Sequence, residues 1–224
     1  MDSRPDTEPT SVNSVAEWLS DRYDDTGTVT GQAVRELGAV DRAVYDAIAR
    51  TPTPTIDASL RRLTEAANYS RLWLGIGAGL ALVGGRRGRR AAVTGIAAIG
   101  IASATVNLGV KSWADRPRPD RQVDLLADKR EARMPSSSSF PSGHSASAFA
   151  FAAAVGDTVP PLALPLRLLA GAVAYSRVHT GVHYPGDVVV GSLIGAGVGD
   201  MTATVGRWLT RRSVRSGGPG RPSA

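Results

Sequence analysis

AAVTGIAAIGIASATVNLGV, residues 91–110, is the stretch of this sequence that decides its fold class. It holds twenty consecutive residues without a charge. An α-helix needs about 20 apolar residues to cross the hydrocarbon core of a bilayer. Cations bound the stretch on both sides: Arg86, Arg87, Arg89 and Arg90 before it, and Lys111 directly after it. The stretch therefore predicts a membrane-spanning helix.

Four further apolar segments flank this stretch: residues 72–85, 145–159, 162–176 and 188–205. The last three are each interrupted by one charge, from Asp157, Arg167 and Asp200 respectively. Their many Ala and Gly residues would let helices pack closely in a membrane, although the core of a soluble all-helical protein has the same pattern. We predict an all-α fold, a multi-pass transmembrane helical bundle with about five spans.

The rest of the chain divides by composition into two tails and an amphipathic region. Residues 1–30 hold seven acidic residues and no apolar core of a signal peptide, which predicts a disordered acidic tail. Residues 31–67 place apolar residues at helical spacing among charges, which predicts an amphipathic, interfacial helical region. The helical pattern of residues 56–70 runs on into the first apolar segment. The membrane domain is then expected at 68–206 and a basic disordered tail at 207–224.

The composition excludes several kinds of chemistry. The chain contains no cysteine, so disulfides, thiolate catalysis and cysteine zinc sites are excluded. Its 26 Lys and Arg against 20 Asp and Glu give a net charge of +6, which suits nucleic acid, anionic lipid or phosphate. The arginines of the C-terminal segment match the enrichment of basic residues at the cytoplasmic ends of membrane helices. We therefore expect a membrane as partner and no nucleic acid.

Three short clusters concentrate the residue types that phosphate chemistry uses. They are Lys111-x6-Arg118-Pro119, Pro141-Ser142-Gly143-His144 and Ser176-Arg177-x5-His183-x3-Asp187. A site without a metal must neutralise the charge on phosphoryl oxygens with fixed donors, and Lys111, Arg118 and Arg177 supply cations for that purpose. Ser142 and Gly143 open the apolar segment at 145–159, where the N-terminus of a helix would add backbone N–H donors.

The histidines of these clusters suit two different roles. A histidine nucleophile needs an unprotonated nitrogen and a ring held still by a carboxylate, and Asp187, four residues after His183, fits that need. Pro185 between them favours the first turn of the last helix. His144 lies on a separate segment and remains to protonate the leaving alcohol. The third histidine, His179, is expected to be structural, or at most a neighbour that tunes the pocket.

The three motifs, in this order and spacing, resemble the signature motifs of the type 2 phosphatidic acid phosphatase (PAP2) and vanadium haloperoxidase superfamily. All fixed positions match. The resemblance implies that His183 is the nucleophile, Asp187 its partner and His144 the general acid. It also implies five phosphate-binding residues: Lys111, Arg118, Ser142, Gly143 and Arg177. Membrane members of this superfamily usually have six spanning helices, one more than the segments found here.

Two other polar stretches receive no function from the sequence. Residues 136–139 are four serines, which predict a flexible loop segment. Acidic and basic residues alternate between Asp115 and Arg133, which favours a solvated mixed-charge loop over a metal site. We expect neither a metal nor another cofactor.

The function expected from the sequence is metal-independent hydrolysis of a lipid phosphate monoester or diphosphate through a phosphohistidine. Polyprenyl phosphate or diphosphate, phosphatidic acid and phosphatidylglycerol phosphate are the substrate classes considered. The alternatives are a soluble acid phosphatase or vanadate-dependent haloperoxidase, and a non-catalytic membrane protein that binds lipid phosphates. We expect the protein to lie in the cell membrane. The positive-inside rule puts the arginines before residue 91 in the cytoplasm, so the active site is expected on the extracytoplasmic side. The sequence leaves open the lipid, the oligomeric state and the placement of the first seventy residues.

Overall fold

All regular elements of the described chain are helices, which confirms the all-helical fold class. The computed structural model describes residues 29–111, 116–119, 130, 132–135 and 137–216. The helices are α1 (Val29–Arg50), α2 (Pro54–Ala66), α3 (Arg71–Val83), α4 (Gly85–Ala104), α5 (Gly143–Thr158), α6 (Ala163–His179) and α7 (Pro185–Ser216). A π-helical turn, Thr105–Val110, continues α4, and short 3-10 turns lie at Asn68–Ser70 and Pro160–Leu162.

Helix α5 is the centre of the bundle, and α4, α6 and α7 pack around it. From Ser145 to Gly156 every residue except Phe149 is buried, and most of them are alanines. Ser142 caps its N-terminus, since the serine hydroxyl accepts a hydrogen bond from the backbone N–H of Ser145 at 3.4 Å. The motif at 141–144 is therefore fixed at one end of the most buried helix.

A row of glycines brings α7 into direct contact with the backbone of α5. Gly191, Gly195 and Gly199 lie four residues apart and face the carbonyl oxygens of Ser142, Ala146 and Ala150. A Cβ atom at Gly195 would overlap the Ala146 oxygen. Small residues spaced four apart permit this close approach of two helices. The contact brings the start of α7 beside the start of α5, where the backbone N–H of Ser142 donates to the Asp187 carbonyl at 2.9 Å.

The outer surface of the bundle is rich in large apolar side chains. Among those at least half exposed are Leu82, Val83, Val93, Leu108, Leu164, Leu168, Leu193 and Met201. Two described helices are long and apolar enough to cross a membrane, Gly85–Val110 and Pro185–Arg212. The apolar segments at 72–85, 145–159 and 162–176 form helices of 13, 16 and 17 residues, shorter than the roughly 20 that a full span uses. The number of about five spans stays a prediction.

Two boundaries differ from those expected. The helical pattern of residues 56–70 is interrupted after Ala66, where Tyr69 and Ser70 have φ values of 55° and 58°. Helix α7 continues to Ser216, so the segment predicted as a disordered tail from residue 207 is helical up to that point. The predicted acidic tail, apart from the start of α1, and residues 217–224 lie outside the described residues.

Helices α1 and α2 cover the end of the bundle at which α6 ends and α7 begins. Tyr45 and Ala49 of α1 form a small core with Val178 and Tyr184. Asp57 of α2 accepts hydrogen bonds from His179 at 2.9 Å and from Arg130 at 3.0 Å. This cluster ties the N-terminal helices to the segment that carries the third motif.

Candidate active site

A cavity of about 190 Å³ opens at the end of the bundle covered by α1 and α2. Five of the eight residues singled out in the sequence line it: Lys111, Arg118, Gly143, His144 and His183. They come from the end of α4, the segment at 116–119, the start of α5 and the turn between α6 and α7. A single buried water needs only about 10–15 Å³ of such cavity volume, so the cavity has room for a phosphoryl group.

The other three residues, Ser142, Arg177 and Asp187, form the buried wall behind the cavity. Ser142 caps α5. Arg177 is 1% exposed, and its guanidinium donates to the Thr64 hydroxyl at 2.8 Å. Asp187 is fully buried in the first turn of α7, as the sequence predicted. The structure thus brings all three motifs to one place, with two layers of residues around the cavity.

The contacts of His183 determine which of its nitrogens is unprotonated. Its Nδ1 lies 3.4 Å from the Asp187 carboxylate, and its Nε2 lies 3.3 Å from the Arg118 guanidinium. An arginine only donates, so Nε2 is the acceptor and Nδ1 carries the proton toward the carboxylate. Burial, opposed by Asp187 and aided by Arg118 and Arg177, lowers the pKa of His183 to about 4. The ring is neutral at pH 7, with a lone pair beside the cavity.

His144 also lines the cavity and has a partner that the sequence did not indicate. Its Nε2 is 2.9 Å from the side-chain oxygen of Asn68, so this nitrogen carries the proton in the neutral ring. Burial and then the charge of Arg177, followed by His183, Lys111 and Arg118, lower the pKa of His144 to about 2. A bound phosphate dianion would cancel much of this positive field and raise the pKa of His144.

The cations beside the cavity are held in place before any substrate binds. Arg118 donates to the carbonyl oxygens of Val182 at 2.8 Å, Ser137 at 3.0 Å and Ser138 at 3.2 Å. Lys111 donates to the Ser137 hydroxyl at 3.2 Å, and burial, with the charge of Arg118, lowers its pKa. Donors fixed in advance stabilise developing charge without reorganisation.

Arg116 and Asp41 extend the site in a way that sequence reasoning missed. Arg116, 1% exposed, pairs with the Asp187 carboxylate and also with Asp41 of α1 at 2.9 Å. Its guanidinium lies 4.2 Å from the ring centroid of Tyr184. Asp41 in turn accepts from the backbone N–H of Gly186 at 2.6 Å. Arg116 is thus the link between α1 and the partner of His183.

The interpretation of two polar stretches was wrong at the residues that the structure describes. Ser137 and Ser139 of the serine run belong to the site, because Ser137 contacts Lys111 and Arg118 and because the Ser139 hydroxyl donates to Asp187. In the described part of the stretch between 115 and 133, Arg116 and Arg130 are buried and not solvated, at 1% and 2% exposed. Each forms ion pairs with acids far away in the sequence, which local charge alternation cannot reveal.

The turn at Asn68–Ser70 adds a further feature. Tyr69 and Ser70 both occupy the left-handed region of backbone space, which costs a non-glycine residue about 1–2 kcal/mol. Such strained residues cluster at ligand-binding sites, and both residues line the cavity. No group of three metal-ligating side chains occurs among the residues that the structure describes. The cavity instead presents cations, imidazoles and the N-terminus of α5, a set of groups suited to an oxyanion.

Comparisons with known proteins agree with this geometry. Residues 91–211 match the family profile described as the PAP2 superfamily. The chain is 35% identical over 182 residues to the decaprenylphosphoryl-5-phosphoribose phosphatase of Mycobacterium tuberculosis, covering 81% of this chain and 95% of that protein.

Two solved structures share the fold. Aquifex aeolicus LpxE superimposes with a TM-score of 0.61 at 26% identity, over 74% of this chain and 95% of LpxE. The transmembrane PAP2-type phosphatidylglycerolphosphate phosphatase of Bacillus subtilis gives 0.56 at 23% identity, over 79% of this chain and 87% of that one.

Fold and site together define the class of protein as a phosphatase built on a membrane-protein helical bundle. More particularly, the chain belongs to the PAP2 superfamily.

Proposed function

We propose that this chain hydrolyses a phosphate ester or diphosphate of a membrane lipid, without a metal, through a phosphohistidine on His183. One observation carries the proposal: the unprotonated Nε2 of His183 and the ring of His144 line the same cavity, with Arg118 fixed beside the nucleophile. Lys111 and Arg118 would repel a divalent cation but attract the phosphate oxygens.

In the first step, Nε2 of His183 attacks phosphorus. The new P–N bond forms as the bond from phosphorus to the leaving oxygen breaks, and the electron pair goes to that oxygen. His144, protonated once the phosphate dianion has raised its pKa, gives a proton to the leaving alkoxide. Asp187 accepts the Nδ1–H hydrogen bond and stabilises the positive charge that His183 acquires. Lys111, Arg118 and Arg177 stabilise the charge on the phosphoryl oxygens.

In the second step, water hydrolyses the phosphohistidine. His144, now neutral, takes a proton from the water as its oxygen bonds to phosphorus. The P–N bond breaks, its electron pair returns to Nε2 of His183, and inorganic phosphate leaves. The roles of Ser142 and Gly143 follow from their position at the N-terminus of α5, where backbone N–H groups and the helix dipole favour an anion.

The lipid nature of the substrate is supported by the relatives and by the surface. The relative from Mycobacterium tuberculosis is named for a decaprenylphosphoryl sugar phosphate, and that from Bacillus subtilis for phosphatidylglycerolphosphate. Large apolar side chains cover the outer face of the bundle, as expected for a surface in contact with acyl or prenyl chains.

We also propose that the apolar helices form about five spans, with the active site on the extracytoplasmic side. Arginines concentrate at the end of the bundle opposite the cavity: Arg86, Arg87, Arg89, Arg90, Arg207, Arg211 and Arg212. The positive-inside rule favours the cytoplasm for that end. Helices shorter than a full span are compatible with local thinning of the bilayer.

The catalytic proposal is tested by phosphate release from a panel of lipid phosphates, by purified protein in detergent, with and without EDTA. We expect release that survives EDTA. Loss of activity in EDTA that magnesium restores would contradict the mechanism, and an absence of release from every lipid would favour a non-catalytic binding protein. Extraction by a salt wash, without detergent, would favour the soluble alternatives.

The topology is tested by single cysteines, because the chain has none of its own. We expect Ser59→Cys, on the exposed face of α2, to react with a membrane-impermeant maleimide in intact cells. Arg89→Cys, at the arginine-rich end, should react only after permeabilisation. The reverse pattern would put the site in the cytoplasm and leave the chemistry unchanged.

A further inference from the structure

A second cavity, of about 530 Å³, opens at the end of the bundle opposite the cavity lined by His144 and His183. Three helices form it: the start of α4, the end of α5 and the C-terminal part of α7. We call it the arginine cavity, because four of its lining residues are arginines: Arg86, Arg87 and Arg90 of α4, and Arg207 of α7. Helix α4 runs between the two ends, and its 20 residues span about 30 Å, the thickness of the hydrocarbon core of a bilayer. The arginine cavity therefore lies at the level of a lipid headgroup layer.

The arginine cavity carries an excess of positive charge. Its lining sets four guanidinium groups against one carboxylate, that of Asp157. Asp157 pairs with Arg207, whereas Arg86 and Arg90 have no ion pair within the part of the chain that the structure describes. Arg86 and Arg87 also lie in the first turn of α4, where the helix dipole disfavours cations. An anion in the cavity would relieve a repulsion that the described residues leave uncompensated.

Two of the arginines are held in place by the end of α5. Arg87 donates to the carbonyl oxygen of Thr158 at 2.8 Å, one of the carbonyl groups that the C-terminus of a helix leaves without a partner. Arg207 donates to the Asp157 carboxylate and, at 3.0 Å, to the Thr204 hydroxyl. Guanidinium groups from α4 and α7 are thus fixed beside one cavity, and such groups bind phosphate oxygens through paired, planar donors. The positive-inside rule accounts for arginines at this end, but it requires neither their convergence on one cavity nor these contacts.

The surroundings of the arginine cavity fit a lipid better than a soluble anion. Helices α4 and α7 approach each other next to it, where a Cβ atom at Gly206 would lie 3.8 Å from the Thr94 hydroxyl. The neighbouring side chains of Val93 and Val205 are 69% and 50% exposed, as expected of a surface that acyl chains cover. Trp208 is also half exposed, and tryptophan is enriched at the headgroup level of membrane proteins. A headgroup at the arginines would therefore have its chains beside an apolar surface.

We propose that the arginine cavity binds the phosphate headgroup of an anionic phospholipid, at a site separate from the catalytic one. Arg86 and Arg90 donate to the phosphate oxygens, while Arg87 and Arg207 keep their contacts with α5 and add positive charge. Phosphatidylcholine is disfavoured, because its choline cation meets the same four arginines. The inference goes beyond the proposed catalytic function, since the described linings of the two cavities share no residue. It rests on the proposed placement of the helices across a membrane.

The test measures lipid binding to the purified full-length protein in detergent by native mass spectrometry. Titrations with dioleoylphosphatidylglycerol and with dioleoylphosphatidylcholine give a dissociation constant for each lipid. We expect the wild-type protein to prefer phosphatidylglycerol. Arg86→Gln/Arg90→Gln should bind this lipid about thirtyfold more weakly, the effect of losing about 1 kcal/mol for each of two basic residues near an anionic headgroup. Equal affinities of the wild type for both lipids, or an unchanged affinity in the variant, would overturn the proposal.

Arg89→Gln/Arg211→Gln is the matched control. It removes the same charge at the same end of the bundle, from exposed residues of α4 and α7 that do not line the arginine cavity. It should bind phosphatidylglycerol like the wild type. An equal loss of affinity in the control would mean that only general attraction of anionic lipids is at work, and the arginine cavity would lose its role. Both double variants replace exposed side chains and should unfold at the temperature of the wild type in lipid-free detergent.

Two further measurements separate this site from the catalytic cavity and from a site for a soluble anion. Lys111→Gln removes a cation of the catalytic cavity and should keep the wild-type affinity for phosphatidylglycerol. A loss of affinity in Lys111→Gln, together with unchanged binding by Arg86→Gln/Arg90→Gln, would place the lipid in the catalytic cavity and refute the second site. Inorganic phosphate at the concentration of the lipid should not displace it, because phosphate has no chains to cover the apolar surface. Displacement would identify a site for a soluble anion and overturn the lipid assignment.

Phosphate release distinguishes this inference from the catalytic proposal. In lipid-free detergent Arg86→Gln/Arg90→Gln should release phosphate from a lipid phosphate at the rate of the wild type. A wild-type protein that binds phosphatidylglycerol through the arginine cavity but hydrolyses no lipid phosphate would support the second site and contradict the catalytic proposal. Hydrolysis without a preference for phosphatidylglycerol would refute the second site and leave the catalytic proposal intact.

Discussion

Replacement of Arg116 by glutamine should damage both the stability and the pH dependence of the enzyme. Arg116 and Asp187 are 1% and 0% exposed. Removing one partner of a buried pair leaves the other charge uncompensated and costs about 3–5 kcal/mol. We therefore expect the free energy of unfolding of Arg116→Gln to fall by about that amount, measured by denaturant titration in detergent micelles with tryptophan fluorescence.

The same change should shift the acid limb of the rate profile. In the proposed mechanism His183 attacks only when unprotonated, and burial holds its pKa at about 4 although Asp187 acts to raise it. Without Arg116 the negative charge of Asp187 acts on His183 with less compensation, so the pKa of His183 rises. In Arg116→Gln we expect the acid limb of kcat/KM to move up by about one pH unit, so that activity at pH 5 falls more than activity at pH 7.5.

Two further variants make this test specific. Arg50 forms an exposed pair with Asp46 at 3.6 Å, and Arg50→Gln should cost less than about 0.5 kcal/mol with no shift of the profile. Asp41→Asn removes the negative charge of the second partner of Arg116 but leaves the contact with Asp187, so its acid limb should move less than that of Arg116→Gln. If Arg116→Gln unfolds like Arg50→Gln and its pH profile is unchanged, the link from α1 to His183 is refuted.

Three other predictions follow from the packing and the site. Gly195→Ala places a methyl group against the Ala146 carbonyl and should lower the free energy of unfolding by about 1–3 kcal/mol. Gly197→Ala is the control, because no heavy atom lies within 4 Å of its Cβ position, and it should unfold like the wild type. Orthovanadate should inhibit phosphate release, because a site built for five-coordinate phosphorus binds its analogue tightly; unchanged turnover in excess vanadate would count against the site. His183→Ala should yield no labelled phosphoenzyme from labelled substrate. His144→Ala should still become labelled, and it should slow the release of poor leaving groups most. Label on the His183→Ala protein would assign the nucleophile elsewhere.

The sequence by itself determined the helical class and pointed to the three motifs that the structure brings together. The start of α5 at Gly143 and of α7 at Pro185 follows from a serine cap and from proline in a first turn. These are local signals, carried by residues a few positions apart. Lys111, Arg118, His144 and His183 could be singled out as candidates from their spacing and the known demands of phosphoryl transfer.

Only the tertiary structure decided which distant residues complete the site. Asn68 meets His144 across 76 positions, Arg116 meets Asp41 across 75, and Arg177 meets Thr64 across 113. No periodicity or capping rule reaches over such separations, because these pairs depend on how α1, α2 and the 68–70 turn pack against the bundle. The strained turn was equally hidden, since nothing in the residues of 56–70 marks the left-handed conformation of Tyr69 and Ser70.

The division between core and outer face was also decided by packing. The segments of α4, α5 and α6 are all apolar in sequence, yet α5 is enclosed by its neighbours while α4 and α6 turn large side chains outward. On the α7 side the glycine row permits this enclosure, because only residues without a Cβ let the α7 backbone meet that of α5. That contact brings Asp187 beside Ser142 and so assembles the motifs around one cavity, an arrangement that depends on helix-to-helix contact and not on the order of residues within any one helix.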